Sequence, residues 1–258
     1  MSAQPIVLAI TLGKPGGTTT FVWRFARWLQ HRGEEVIVLM GEEGTWLRER
    51  CIESKVSFRV IPHLQREIHP WHDALAAKAL HEALRDLRPR AIHLNSSKAG
   101  VIGSLAGRWA HIPNIVYFIG GWAALDARSF AQRAAHLWPE RLTSGCKDTI
   151  VCLHPGDAAF AKEHGIHPKK SLTVIPNGID QAALRASLFS REDARKILGL
   201  PLDRLVFGTI ANFYPAKDLP RYIKTCQRVL NQHPEALFCL IGDGPERPLI
   251  EEAIRTSG

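Results

Sequence analysis

The sequence predicts an α/β protein: a complete N-terminal Rossmann-like, doubly wound parallel sheet, followed by an incomplete C-terminal Rossmann-like unit. Three observations carry this. Short apolar runs rich in β-branched residues recur along the whole chain, and several are apolar at successive positions, as strands buried on both faces are. Segments with helical spacing of apolar residues lie between many of them, the alternation that builds a parallel sheet. The alternation breaks once, at the Pro176-Asn177-Gly178 turn and a charged stretch, and then restarts.

Strands are expected at 6–11, 36–40, 58–61, 91–94, 115–119, 149–153 and 172–175. Helices are expected between them at 18–31, where Phe21, Val22, Phe25, Trp28 and Leu29 share one side, and at 46–53, 73–87, 98–110, 127–142 and 156–164. Seven strands make a complete domain by size, so residues 1–180 form the first domain. Residues 181–204, charged and helical around Arg191 to Lys196, are expected to connect it to a second domain at 205–258. That domain opens with an apolar strand at 205–210, a loop, and a helix from Leu219 with apolar residues at Tyr222, Ile223, Cys226, Val229 and Leu230. Asp218 suits its N-cap and Pro220 its first turn. A strand at 236–241 and the start of a helix at 246–254 follow. Two strands leave such a sheet open at an edge, so the chain is expected to stop inside its second domain.

The chain has 258 residues, 45% hydrophobic and 22% charged, with a net charge of +8. This is a globular composition with a basic balance that favours phosphate-rich partners. Five scattered cysteines, with no CxxC, suggest neither a disulfide framework nor a zinc site and fit a reducing cytoplasm. The longest apolar run, residues 115–125, has 11 residues, against about 20 for a membrane span. The histidines lack metal-ligand spacing, and HExxH, GxSxG and the P-loop pattern are absent, so no metal and no bound cofactor is expected. Basic residues are not interleaved with aromatics as in a nucleic-acid module, so no nucleic acid is expected. The helix at 127–142 sets Arg128, Arg133, His136 and Arg141 beside Phe130, Leu137 and Trp138. It could dock on an anionic membrane surface or be simply solvated.

Ligands of doubly wound sheets gather at the carboxyl ends of strands, so the candidate residues follow the strands. After the first come Gly16 and Gly17, a close-approach turn at a helix N-terminus or a plain capping turn. After the fourth come Asn95, Ser96, Ser97 and Lys98, polar enough to hold a hydroxylated or phosphorylated ligand, with a serine capping a helix. That helix's Gly100, Gly103, Ser104 and Gly107 allow close packing on the sheet. After the fifth come Gly121 and Trp122, a ring that either stacks on a sugar or packs in the core. After the eighth come Asn212 and Lys217, a cation at the mouth of a helix. After the ninth come Gly242, Asp243 and Gly244, another close-approach turn.

In this order these pieces resemble the retaining glycosyltransferases of family 4. The matching residues are Gly16-Gly17, the run from His93 to Gly100, Gly121-Trp122, the run from Val174 to Asp180 with Asn177 at its turn, the run from Asn212 to Lys217, and Gly242 to Pro245. The resemblance spans essentially the whole chain. It implies two facing Rossmann-like domains and transfer, with retention, of a sugar from a nucleotide-sugar donor to a glycan or lipid-linked acceptor of cell-surface polysaccharide or lipopolysaccharide synthesis. The donor is a substrate, and the location is cytoplasmic or peripheral at the inner membrane face. It implies that Lys217 is catalytic, gripping the donor diphosphate with the glycine-turn amides, and that Asn95 to Lys98, Gly121, Trp122 and Asn177 line the acceptor side or cleft. The sequence departs from the family at Asn212, where an Arg is usual, at Gly120, where a His is frequent, and at Asn95, the place of a second His. A segment with two glutamates that grips the donor would lie beyond Gly258. The other readings are a non-catalytic sugar- or nucleotide-binding remnant and a nucleotide-sugar epimerase of the same architecture.

Overall fold

The computed structural model describes residues 4–127 and 129–256. Chain contacts divide it into two units, 1–178 and 179–258. Arg128 of the expected basic helix and the terminal Gly258 lie outside the described residues.

The first unit alternates strand and helix: β1 (Ile6–Ile10), α1 (Gly17–His31), β2 (Val36–Met40), α2 (Trp46–Glu53), β3 (Ser57–Val60), α3 (Pro70–Leu87), β4 (Ala91–Leu94), α4 (Ser97–Trp109), β5 (Ile115–Ile119), α5 (Phe130–Leu142), β6 (Thr149–Cys152), α6 (Pro155–Glu163) and β7 (Ser171–Val174). All neighbours pair parallel, in the order β3-β2-β1-β4-β5-β6-β7. The order reverses between β1 and β4, so a crevice opens there at the carboxyl ends of the strands. Alternate residues of one strand feed opposite faces. Leu8 and Ile10 pack with Val22, Ala26 and Leu29 of α1 and Leu47 and Cys51 of α2. Val7 and Ala9 pack with Leu80 and Leu84 of α3 and Ile102 and Ala106 of α4.

The glycines of α4 serve the packing that their spacing suggests. A Cβ at Gly100 would lie 2.5 Å from the Tyr117 ring, one at Gly103 2.5 Å from Leu94, and one at Gly107 2.9 Å from Ile115. Two helix starts differ from expectation for local reasons. α3 begins at Pro70 because the His69 side chain caps it and proline fits the first turn. α5 begins at Phe130 instead of residue 127 because Ser129 caps it, accepting from Gln132 N at 3.1 Å, after a separate 3-10 turn at Ala123–Leu125.

The second unit holds α7 (Gln181–Ser187), α8 (Arg191–Leu198), β8 (Val206–Ile210), α9 (Leu219–Leu230), β9 (Leu237–Ile241) and α10 (Arg247–Arg255). The stretch 181–204, expected as a connection between domains, groups with this unit as α7 and α8. β8 and β9 pair parallel, with Val206 opposite Leu237. α9 and α10 enclose a small core of Phe213, Leu219, Ile223 and Ile250. Among the described residues no helix is long and apolar enough to cross a membrane.

Candidate functional site

In the first unit the candidate residues gather at the β1–β4 crevice. Thr11, directly after β1, bonds through Oγ1 to Ser96 Oγ at 2.7 Å, and its N–H donates to the same oxygen at 3.3 Å. Ser96 also caps α4, accepting from Ala99 N at 3.3 Å. The ends of β1 and β4 are thereby tied together, and Ser96 is engaged on both sides. α1 starts beside this tie. No side chain caps it and no acid lies in its first turn, so its leading N–H groups and dipole favour an anion. Gly16 is extended, with φ 172°, a conformation open to any residue. A Cβ at Gly17 would meet nothing within 4 Å, and one at Gly16 only Thr19 Oγ1, at 3.9 Å. The chain's own packing therefore does not demand glycine at either position, which leaves open space in front of the helix. The turn after β5 comes alongside: a Cβ at Gly120 would lie 3.7 Å from Thr18 Oγ1. Gly121, at φ 132°, holds a backbone conformation that side chains avoid.

Three of the expected cleft residues face inward instead. Asn95 is buried. Its amide donates to the carbonyls of Ala9 and His93 at 3.2 and 2.8 Å, and its carbonyl oxygen meets His93 Nδ1 at 2.9 Å. Since Asn95 Oδ1 accepts, His93 carries its proton on Nδ1. Burial pushes the His93 pKa down to about 4, against a smaller upward pull from Asn95, so the ring is neutral among Phe21, Phe25 and Phe118. Trp122 is 3% exposed. Its indole donates to Asp157 O at 2.9 Å and its ring packs on Phe160 and Tyr117, so it offers no face to a sugar. Lys98 pairs with Asp73 at 2.5 Å and donates to the Glu67 carbonyl. A cation held so firmly orders the loop before α3.

Beneath α5 lies a buried polar chain that sequence reasoning missed. The Tyr117 hydroxyl donates to Glu140 Oε1 at 2.8 Å, and Lys147 Nζ donates to Glu140 Oε2 at 3.1 Å and Thr143 Oγ1 at 2.9 Å. Burial, then Glu140, push the Tyr117 phenol well above its ordinary value, and burial pulls the Lys147 amine down against the opposing attraction of Glu140. Only Lys and Glu seven residues apart hint at this pair, and that spacing is too common to be a signal.

In the second unit Asn212 and Lys217 are exposed on the loop between β8 and α9. Lys217 ends a 3-10 turn, Pro215–Lys217. Pro220 lies in the first turn of α9, but Asp218 does not cap it. Asp218 sits at φ 46° without a capping bond, and its carboxylate pairs with Arg221 at 2.9 Å. The turn after β9 clamps this loop. Phe213 N donates to Asp243 O at 2.9 Å, Glu246 N to Phe213 O at 3.1 Å and Ala211 N to Ile241 O at 3.0 Å. A Cβ at Gly242 would lie 1.9 Å from Ala211 O, and one at Gly244 2.6 Å from Phe213 O. These glycines serve the chain's own loop-to-loop contact, whereas Gly17 borders open space. The Asp243 carboxylate is taken by Arg247 at 2.8 Å, whose guanidinium lies over the Phe213 ring. Asn177 is exposed beyond β7. Among the described residues no three His, Cys, Asp or Glu side chains group as a metal site requires.

The family model described as a glycosyl transferase 4-like domain matches residues 16–178, the first unit from its glycine turn to its last loop. The chain belongs to the glycosyl transferase 4-like family. Within it, the chain is 26% identical over 196 residues to the UDP-Gal:alpha-D-GlcNAc-diphosphoundecaprenol alpha-1,3-galactosyltransferase of Escherichia coli, covering 75% of this chain and 50% of that enzyme. In fold it is similar to Anabaena HepE, solved in complex with UDP and glucose, with TM-score 0.74 and 17% identity over 98% of this chain and 65% of the other. It is also similar to a putative UDP-N-acetylglucosamine 2-epimerase from Listeria monocytogenes, with TM-score 0.67 and 9% identity over 99% and 66%. The chain thus spans about half the length of the E. coli relative and about two thirds of these structural neighbours.

Proposed function

We propose that this family member takes part in moving a hexose from a UDP-sugar to a lipid-linked glycan acceptor at the inner face of a membrane, with retention at the anomeric carbon. The observation that carries the reading is the family match over residues 16–178. It includes Gly16-Gly17 and the serine turn Ser96-Ser97. The relative's diphosphoundecaprenol acceptor supports a lipid-linked one here, and UDP in the Anabaena neighbour supports uracil as the donor base.

In the reaction the bond between C1 and the diphosphate oxygen breaks while the acceptor oxygen bonds to C1 from the same face. The acceptor's proton leaves with the departing diphosphate. Negative charge grows on that diphosphate, and fixed positive groups aimed at it lower the barrier. Lys217 supplies one such charge. In the first unit, taken by itself, the uncapped N-terminus of α1 beside Gly16 and Gly17 favours an anionic ligand. Asn212 donates a neutral hydrogen bond where the family commonly has a second cation, so more of the electrostatic work falls to Lys217.

The test is incubation with UDP-galactose, UDP-glucose or UDP-N-acetylglucosamine and an undecaprenyl-diphosphate sugar. UDP release that depends on acceptor, with an α-linked product by NMR, is the expected result. Isomerisation of a UDP-sugar without acceptor would instead establish the epimerase reading, to which the Listeria likeness lends fold alone.

A further inference from the structure

We infer that the outer face of α5 is a docking surface for an anionic lipid bilayer. It deepens the lipid-linked acceptor reading and rests on it for its purpose, since an acceptor carried on lipid must be met at a membrane. α5 buries a single residue, Glu140. Phe130, Trp138 and Leu142 recur at multiples of four, which keeps them on one side of a helix, and they are 88, 57 and 74% exposed. Leu125, in the 3-10 turn that leads in, is exposed as well. Three large apolar side chains thus stand on the solvent side of one helix, with a fourth exposed just ahead of it, the kind of surface that marks an interaction site when the residues are contiguous.

The charge pattern selects the partner. Arg133 and Arg141 are exposed on the same helix. The only carboxylate in α5, Glu140, points inward to Tyr117 and Lys147. The outer face of the helix is therefore cationic and aromatic with no negative charge of its own, and the nearest exposed carboxylate along the chain is Asp126, ahead of it. The Arg141 guanidinium lies 5.7 Å from the Trp138 ring centroid, pairing an apolar body with a charged tip as interfacial anchors do. Arginines and aromatics without acids complement a layer of anionic headgroups over hydrocarbon. The buried pair also fixes which way the helix faces. Rolling α5 to hide its apolar stripe would pull Glu140 away from Lys147, and breaking a buried ion pair is strongly unfavourable.

The experiment is co-sedimentation of the chain with vesicles of equimolar phosphatidylcholine and phosphatidylglycerol, against vesicles of phosphatidylcholine alone. The wild type is expected to bind the anionic vesicles, more weakly as salt rises. Phe130→Ser with Trp138→Ser should lower partitioning by at least about tenfold. Arg133→Gln with Arg141→Gln should lower it about fivefold per charge. The mutated residues are exposed, so thermal midpoints should stay unchanged and report that the variants fold. Absence of wild-type binding to anionic vesicles, equal binding by folded variants, or a wild-type dimer dissolved by the aromatic variant would each overturn the inference. UDP binding is measured on the same samples. Its loss with vesicle binding intact would sink the transferase reading and leave this surface standing.

Discussion

Asn95 shows how a polar residue after a strand can be read correctly in type and wrongly in direction. The sequence places it at a ligand-facing edge, but its side chain bonds His93 within β4 and secures that strand to the Ala9 carbonyl. Nothing in sequence order tells which way a polar side chain turns at a strand end. The same holds for Trp122 and Lys98, whose partners Phe160 and Asp73 lie 38 and 25 residues away in number. The consequence for His93 is testable. Its folded pKa of about 4 lies below the ordinary 6.5, so the unfolded chain binds the proton more readily. The native state gains nothing from this group above pH 6.5 or so and loses up to about 3 kcal/mol as pH falls toward 4. An NMR titration should find the His93 ring changing near 4, and a midpoint near 6.5 would contradict its burial. The Glu140–Lys147 pair makes a second prediction. Lys147→Met alone strands a buried carboxylate and should cost about 3–5 kcal/mol in denaturant unfolding. Adding Glu140→Gln should recover most of that loss, and equal losses would deny the pairing.

At the scale of elements, the pattern of apolar residues was sufficient. Among the described residues all nine strands lie within a residue or so of their expected places, because runs such as Val36–Met40 are apolar on both faces and only a central parallel strand accepts that. Helix starts were less legible where capping chemistry is unusual, as with the His69 cap of α3 or the Asp218–Arg221 pair that replaces a cap on α9. Glycine was the ambiguous letter. Gly100, Gly242 and Gly17 look alike in sequence, yet the first receives Tyr117, the second a neighbouring carbonyl and the third open space. Alanine in a helix interior usually gains about 0.5–1 kcal/mol over glycine. At Gly100 the overlap with Tyr117 should cost about 1–3 kcal/mol, so Gly100→Ala should lower the urea midpoint, and a raised midpoint would refute the close packing of α4. At Gly242 the overlapping atom is backbone, which no rotamer relieves. Gly242→Ala should shift the loop bearing Lys217 and weaken nucleotide binding along with stability.

For the molecule as a whole, the strand order of the first unit and its reversal between β1 and β4 place the glycine turns, Thr11 and Ser96 at one crevice. The second unit presents Lys217 on a loop clamped by the turn after β9. The division into two α/β units was legible because the alternation restarts at residue 205. The assignment of 181–204 was not, because its charged helices give no pattern that ties them to either side. We propose that uridine diphosphate sugars bind this family member with Lys217 holding the diphosphate. Calorimetric titration of UDP into the wild type and Lys217→Ala tests it most directly. Loss of one charge-assisted phosphate contact of about 1.5–3 kcal/mol should weaken binding roughly 10- to 150-fold. An unchanged dissociation constant in Lys217→Ala, or no UDP binding by the wild type, would contradict the claim.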